Sequence, residues 1–232
     1  MEVPYVMSEG HHLAEIGGHL FVIDTGSPIS FSFDASLPSL SVCSQAHSLP
    51  VNPMGLDKGQ LDGMIGAAVS GIIGLDVLER SGGIRFDRSA PTITFGPCGS
   101  APESFQVPLR MLNLLGLRAV LISAKINGQN SDKVLLDTGA RVGYLSESLL
   151  GDAASDGEAV DFAPSFGGRI DTDKYVAEIA LGGKPFVIPM AKMTPMMEWG
   201  AAMLGSSAFL GINGIFEEAL CIDFQAGRVS MR

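Results

Sequence analysis

Two acidic turns of matching composition lie far apart in the chain. FVIDTGSPIS occupies residues 21–30 and VLLDTGARVG occupies residues 134–143, so Asp24 and Asp137 are 113 positions apart (137 − 24). Each turn follows an apolar run and continues as Asp-Thr-Gly and a small residue. A single copy is an ordinary end to a strand, because Asp favours turns. Two copies with matching flanks indicate that the fold brings two carboxyl groups together.

Paired carboxyl groups offer a definite chemistry. Two carboxylates forced into contact cannot both ionise cheaply, so they share a proton over a range of pH. One can then act as a general base towards water, and the other as a general acid towards a leaving group. Gly26 and Gly139 allow the sharp turns and close approach that the pair needs. The pattern therefore predicts an acid–base pair of Asp24 and Asp137.

A second matched pair of segments follows the two turns. Residues 71–96 and 208–232 each contain two apolar residues and a Gly, a short helical turn, a strand with an Asp, and a last alternating strand. Gly74 corresponds to Gly211. The chain is therefore interpreted as a tandem duplication, joined near the Gly-, Pro- and Ser-rich residues 96–106. We expect a first lobe at 1–100 and a second lobe at 101–232.

Between these landmarks the pattern is mainly β. Strand pairs are predicted around Asn127-Gly128 and around Gly182-Gly183, which are typical hairpin turns. Helical signals are brief, at residues 74–80 and 146–152. The predicted fold class is therefore all-β in the main: two related β-barrel-like lobes with short helices and a cleft between them.

These paired motifs resemble the aspartic peptidases of the pepsin and retropepsin type. The resemblance rests on the two Asp-Thr-Gly turns and on the apolar-apolar-Gly elements at 72–74 and 209–211. It implies an aspartic endopeptidase that hydrolyses peptide bonds with a water activated by Asp24 and Asp137. It also implies that Thr25 and Thr138 lock the loops together. The supporting turn residues are Thr25, Gly26, Ser27, Thr138, Gly139 and Ala140.

The size of the chain adds to what the resemblance implies. With 232 residues it looks like two retropepsin-sized lobes fused into one chain, which implies a monomer carrying both aspartates. A peptide or protein substrate is the implied partner. No cofactor and no metal are implied.

The two halves differ in the spacing between the acidic turn and the Gly. The spacing is 50 residues in the first half (74 − 24) and 74 in the second (211 − 137). The extra residues of the second half resemble a retropepsin flap hairpin, whereas residues 52–63 offer only a stub. An ordinary surface hairpin is the alternative. The predicted flap residues are Phe166, Gly167, Gly168, Arg169 and Ile170.

Two further features concern the cleft. Ser27 follows the first turn and Ala140 the second, so we expect the Ser27 hydroxyl to donate to Asp24 and lower its pKa. The shared proton should then reside more on Asp137. The Met-rich run at 189–205 predicts an adaptable apolar wall that includes Trp199. Plain core packing of these methionines is an equal alternative.

Two other functions stay open on the same scaffold. One is a catalytically weak or silent peptide-binding protein, which the shortened first lobe favours. The other is a highly selective processing peptidase with one target.

The composition of the chain argues against some other classes of partner and site. The net charge of −10 argues against nucleic acid and anionic membranes as partners. No signal peptide is recognised at the start, which favours a cytoplasmic location. The four histidines lack metal-ligand spacing and are expected in solvated positions or turns. The three cysteines are expected as buried free thiols, with a disulfide between Cys43 and Cys98 as the alternative in an exported protein.

Overall fold

The fold was analysed in a computed structural model that describes residues 1–99, 105–114, 116–163 and 168–232. Within these ranges the chain is mainly β with short helices, as predicted. The elements of the first half are β1 (Glu2–Ser8), β2 (His11–Ile16), β3 (His19–Ile23), β4 (Phe31–Ser32), β5 (Ser39–Val42), β6 (Gln45–Ser48), α1 (Lys58–Ile65), β7 (Gly71–Ile73), α2 (Leu75–Arg80), β8 (Gly83–Asp87) and β9 (Thr92–Phe95).

The second half repeats this order with additional strands. Its elements are β10 (Phe105–Leu114), β11 (Leu117–Ile126), β12 (Gln129–Asp137), β13 (Gly143–Leu145), α3 (Glu147–Leu150), β14 (Ser155–Ala163), β15 (Gly168–Leu181), β16 (Lys184–Lys192), α4 (Pro195–Met203), β17 (Ala208–Gly211), β18 (Ala219–Asp223) and β19 (Arg228–Met231).

In each half, the strand that leads into the acidic turn pairs with the apolar-apolar-Gly strand. β3 runs parallel to β7, and β12 runs parallel to β17 with Asp137 opposite Gly211. These central strands are buried on both faces, which explains why their sequences are uninterrupted apolar runs. The duplicated motifs thus place both acidic turns on equivalent, rigid supports.

One antiparallel sheet contains strands from both halves. β8 of the first half pairs with β18 of the second, and β9, β1, β19 and β10 extend the sheet on either side. The two halves are therefore held together by main-chain hydrogen bonds. The boundary at residue 100 stays a prediction, since residues 100–104 lie outside the described ranges.

The cysteine prediction was wrong. Cys98 and Cys221 form a disulfide, and only Cys43 is free. The pairing of β8 with β18 brings Cys221 beside the segment that follows β9, which sequence spacing could not show. The Cys43–Cys98 alternative also fails, because the Cys43 thiol instead donates to the carbonyl of Phe95 at 3.3 Å.

The main asymmetry lies before β7 and β17. The first half contains helix α1 where residues 52–63 suggested a flap stub, and Asp57 caps it by accepting from the Gln60 amide at 3.0 Å. Helix α4 occupies the corresponding place in the second half, with Thr194 as its N-cap. Only the second half adds the hairpin β14–β15. No helix in the described ranges is long and apolar enough to cross a membrane.

Candidate functional site

The two acidic turns are cross-linked by their threonines. The Thr25 hydroxyl donates to the carbonyl of Leu136 at 2.6 Å, and the Thr138 hydroxyl donates to the carbonyl of Ile23 at 2.8 Å. Both threonines are at most 1% exposed. Each hydroxyl therefore satisfies main-chain groups of the other half in a buried position, which fixes the distance between the turns.

The carboxyl groups of Asp24 and Asp137 meet at the centre of this cross-link. Oδ1 of Asp24 accepts from the Gly26 amide at 2.7 Å and from the Ser27 amide at 3.1 Å. The second turn repeats the arrangement around Asp137 with its own two amides, at 3.0 and 3.1 Å. The two carboxyl groups are close enough for each to shift the pKa of the other.

The turn glycines lie directly against the opposite carboxyl groups. A Cβ at Gly26 would lie 2.6 Å from Oδ2 of Asp137, and a Cβ at Gly139 would lie 2.5 Å from Cγ of Asp24. No side chain fits at such distances. Glycine is therefore needed here for close approach, not for an unusual backbone angle.

The two aspartates are not equivalent. Burial raises the pKa of both carboxyl groups. The charge of Asp24 and that of a third carboxylate, Asp161, raise the pKa of Asp137 further, while His11 lowers the pKa of Asp24. These neighbouring charges favour the shared proton on Asp137.

The predicted cause of this asymmetry was wrong. The Ser27 hydroxyl donates to the carbonyl of Ile29 at 2.8 Å, not to Asp24. The amides of Ser27 and Ala140 both reach their aspartates at 3.1 Å, so the two turns stabilise their carboxylates alike. Asp161 and His11, which lie outside the turns, act on the pair in addition to the interaction of the two carboxyl groups with each other.

Asp161 is a functional candidate that the sequence analysis missed. It lies on β14, is 2% exposed, and accepts the Tyr144 hydroxyl on Oδ2 at 2.8 Å. Burial raises the pKa of Asp161. The available signal was an Asp between Val160 and Phe162, in the strand that enters the predicted flap. A charge at such an apolar position favours a functional interpretation.

The carboxyl groups face a cleft between the two halves, with a cavity volume of about 70 Å³. Its walls come from the acidic turns, from β7, β13, β14, α4 and β17, and from the loop before α1. The lining residues that matter below are Asp24, Asp137, Tyr144, Asp161, Phe162 and Phe209.

Two apolar pockets flank the acidic turns in equivalent positions. One lies against the second half and contains Ala119, Leu135 and Phe209, with Asp137 at its edge and Trp199 on α4. Its cavity volume is about 370 Å³, and we call it the open pocket. It also contains Arg118, which forms an ion pair with Glu79.

The equivalent pocket in the first half is filled. It contains His11, Val22 and Ile72, which stand where the open pocket has Ala119, Leu135 and Phe209, and Leu61 and Ile65 of α1 stand where it has α4. Only about 20 Å³ remains, roughly the space of one water. We call it the filled pocket.

Phe162 fills this pocket from the other half of the chain. It lies on β14, is 8% exposed, and packs in a cluster whose other buried members all lie between residues 13 and 72. Leu61 and Ile65 of α1 belong to that cluster. The β14–β15 hairpin is thereby docked against the first half.

The histidine prediction also needs correction. His11, His12 and His47 are buried, because β2 runs between the halves and β6 packs inward. His11 Nδ1 lies 3.0 Å from the carbonyl of Gly139, and His12 Nε2 lies 3.1 Å from Oδ1 of Asn213. These contacts join the halves beside the second acidic turn.

The remaining predicted residues are placed as follows. Gly168 begins β15 and lies near Phe162, while Arg169 pairs with Asp171 at the surface and Ile170 is buried among second-half residues. Phe166 and Gly167 lie outside the described residues. Trp199 is 69% exposed and borders the open pocket.

Some methionines of the run at 189–205 line the cleft or the open pocket, and others lie in the core. Met197 lines the cleft and Met203 the open pocket, whereas Met190 and Met193 are core residues. The run thus contributes residues to both places, and its role in binding stays a prediction. In the described ranges, no cluster of three or more His, Cys, Asp or Glu is arranged to hold a metal ion.

Comparison with known proteins places the fold among seed globulins. Basic 7S globulin from soybean matches with a TM-score of 0.50 and 11% identity, covering 99% of this chain and 93% of that one. Conglutin gamma, a basic 7S globulin from lupine seeds, matches with a TM-score of 0.53 and 11% identity, covering 99% and 94%. No protein-family model matches, and no curated protein matches.

These matches contradict part of the sequence interpretation. At 11% identity the likeness shows the fold alone, and it supports the predicted mainly-β, bilobal architecture. Both proteins carry the name globulin, and neither name identifies a peptidase of the pepsin or retropepsin type. The expectation that the chain is such a peptidase, and with it the endopeptidase activity, is therefore withdrawn.

Proposed function

We propose that this protein is a catalytically silent peptide-binding protein on the bilobal scaffold. The observation that carries the proposal is the filled pocket. For a carboxyl pair to cut a peptide bond, the bond must be positioned at the pair, with room for the residue and its side chain on each side of it. Phe162 occupies the place of one such side chain, so a peptide has room on one side only.

The open pocket supports the binding half of the proposal. Ligand pockets are mostly apolar with a few polar groups at fixed positions, and this pocket has that composition. Its wall contains Leu135 and Phe209, and its edge contains Asp137. An extended peptide with a large apolar side chain suits its volume of about 370 Å³.

The carboxyl pair keeps a role in this proposal. Two buried carboxyl groups sharing a proton can donate and accept hydrogen bonds, so they can hold a polar end of the ligand at the floor of the cleft. Both acidic turns lie in one chain, so a single chain supplies the whole site. We therefore propose that the monomer is the binding unit.

One experiment separates binding from cleavage. The protein is incubated with a denatured protein and a peptide library between pH 3 and 7, and both products and bound peptides are identified by mass spectrometry. We expect captured peptides rich in large apolar residues and no new termini. Cleavage that disappears in Asp24→Asn would overturn the proposal, as would a failure to retain any peptide.

A further inference from the structure

The open pocket and the carboxyl pair form one continuous binding region. Asp137 and Phe209 line both the cleft and the open pocket, and Gly26 also borders both. An apolar group in the open pocket is thus adjacent to the carboxyl group of Asp137. A ligand that fits both features has an apolar body next to a polar group.

The filled pocket limits how a peptide can lie in this region. Beyond the carboxyl pair, the path is closed by Phe162, whose ring is buried against Leu61 and Ile65. A peptide that enters by way of the open pocket therefore meets a wall just past Asp24 and Asp137. One end of the peptide must lie at the carboxyl pair.

The negative charge of the cleft determines which end of the peptide lies at the carboxyl pair. Asp24, Asp137 and Asp161 all line the cleft, and they repel a terminal carboxylate. A terminal ammonium group is attracted, and its three N–H donors match carboxylate acceptors. Arg118, the cation that lines the open pocket, does not oppose this, because it is paired with Glu79.

We propose that the site captures the free amino terminus of a peptide whose first residue is large and apolar. The side chain of that residue enters the open pocket and its α-ammonium group is held by the carboxyl pair. This inference rests on the proposed function, and it adds the class of ligand and its orientation.

Trp199 provides a local reporter of occupancy. It is the only Trp in the chain, it borders the open pocket, and it is 69% exposed. A bound apolar side chain would cover part of the indole and remove it from water. Its fluorescence emission would then move to shorter wavelength as the pocket fills.

The test compares three versions of one peptide, Phe-Ala-Ala-Ser-Ala-Ala, by Trp199 fluorescence and calorimetry. One has free ends, one is N-acetylated, and one is C-amidated. We expect acetylation to weaken binding by at least about tenfold, because a charged hydrogen bond is lost, and amidation to have little effect. Equal binding of the free and acetylated peptides would overturn the inference and leave the proposed function standing. If none of the three binds, the proposed function itself fails.

Variants assign the effect to the site. The double variant Asp24→Asn/Asp137→Asn removes the negative charge of the pair, so it should abolish the preference for the free amino terminus while keeping apolar binding. Met203→Ala should weaken binding of all three peptides, because Met203 lines the open pocket. Met196→Ala is the matched control, since both methionines lie on α4 and are about equally exposed, at 56% and 49%. A preference that survives the double variant would place the ammonium elsewhere and overturn the inference.

Discussion

Thr25 and Thr138 exchange equivalent hydrogen bonds across the two halves. The Thr25 amide donates to the Thr138 hydroxyl at 3.0 Å, and the Thr138 amide donates to the Thr25 hydroxyl at 3.0 Å. Each hydroxyl also donates to a carbonyl of the other half. Every polar atom of this buried network is thus satisfied by the opposite turn, so the network holds only while the halves stay in register.

This relationship predicts equal costs for the two threonines. Thr25→Val and Thr138→Val each keep the side-chain shape but leave a buried amide and a buried carbonyl without partners. Each should lower the free energy of unfolding by about 2–6 kcal/mol, because each of the two unsatisfied groups costs about 1–3 kcal/mol. Urea denaturation measures the loss. Thr25→Ser is the control, since it retains the hydroxyl; a Thr25→Val protein as stable as Thr25→Ser would contradict the prediction.

A second prediction concerns Asp161 and the carboxyl pair. Asp161→Asn removes a negative charge near Asp137 but keeps an acceptor for Tyr144, so the pKa of Asp137 should fall. Ser27→Ala is the control and should leave the pKa of Asp24 unchanged, because the hydroxyl bonds Ile29 instead. Carbon-13 NMR titration of the carboxyl groups measures both. A shift at Asp24 in Ser27→Ala with none at Asp137 in Asp161→Asn would reverse the assignment.

The same groups determine how stability depends on pH. A carboxyl group whose folded pKa is raised binds more protons in the folded state than in the unfolded state. The free energy of unfolding therefore falls as pH rises from about 4 through the folded pKa. Asp161→Asn should make this fall smaller, both by removing one raised group and by lowering the pKa of Asp137. Urea denaturation at a series of pH values measures it.

A third prediction concerns His12. Its titration makes stability fall as pH falls, which is opposite to the effect of the carboxyl groups. His12 is fully buried, and burial lowers its pKa to about 3, with Arg88 contributing. Its neutral ring accepts from Tyr5 at 2.5 Å and donates to Asn213 at 3.1 Å. The unfolded state binds a proton near pH 6.5 and the folded state does not, so stability is lost as pH falls from 6.5 to about 3.

Replacing His12 should reduce this loss of stability at low pH. We expect His12→Gln to be less stable than the natural protein at pH 7, because the packed ring is lost, and to lose less stability between pH 6.5 and 4. His19→Gln, at a partly buried histidine, is the control for the effect of a His-to-Gln substitution as such. Parallel pH curves for His12→Gln and the natural protein would show that His12 does not titrate on unfolding.

The repeated architecture could be predicted because it is encoded twice. The two Asp-Thr-Gly turns and the two apolar-apolar-Gly segments have matching order, and their parallel pairing follows the sequence pattern. Helices α1 and α4 were missed because neither segment has a clear apolar period. Their caps, Asp57 and Thr194, were the readable signals.

Less of the candidate site than of the fold could be predicted from the sequence, for a physical reason. Asp24 and Asp137 belong to the repeated motifs, so the sequence indicates that they meet. Asp161 and Phe162 belong to a hairpin found in one half only, and their position depends on how that hairpin docks against α1. No local pattern records that docking. The difference between an open and a filled pocket, on which the proposed function rests, therefore became visible only in the structure.

The last prediction tests whether Phe162 closes the cleft. Phe162→Ala removes a ring that is 8% exposed and leaves space beside Asp24, so the free energy of unfolding should fall by about 3–5 kcal/mol. More informatively, the variant should accept peptides that extend past the carboxyl pair. In the natural protein, adding two residues before the first Phe of the test peptide should weaken binding, because the filled pocket blocks them.

In Phe162→Ala the longer peptide should bind at least as well as the shorter one. Phe162→Leu is the control, since it keeps an apolar side chain in the pocket and should retain the block with a smaller loss of stability. Calorimetry with both peptides on all three proteins gives the comparison. If the natural protein already binds the longer peptide as tightly as the shorter one, Phe162 does not close the cleft. The proposal that a peptide has room on only one side of the carboxyl pair is then wrong.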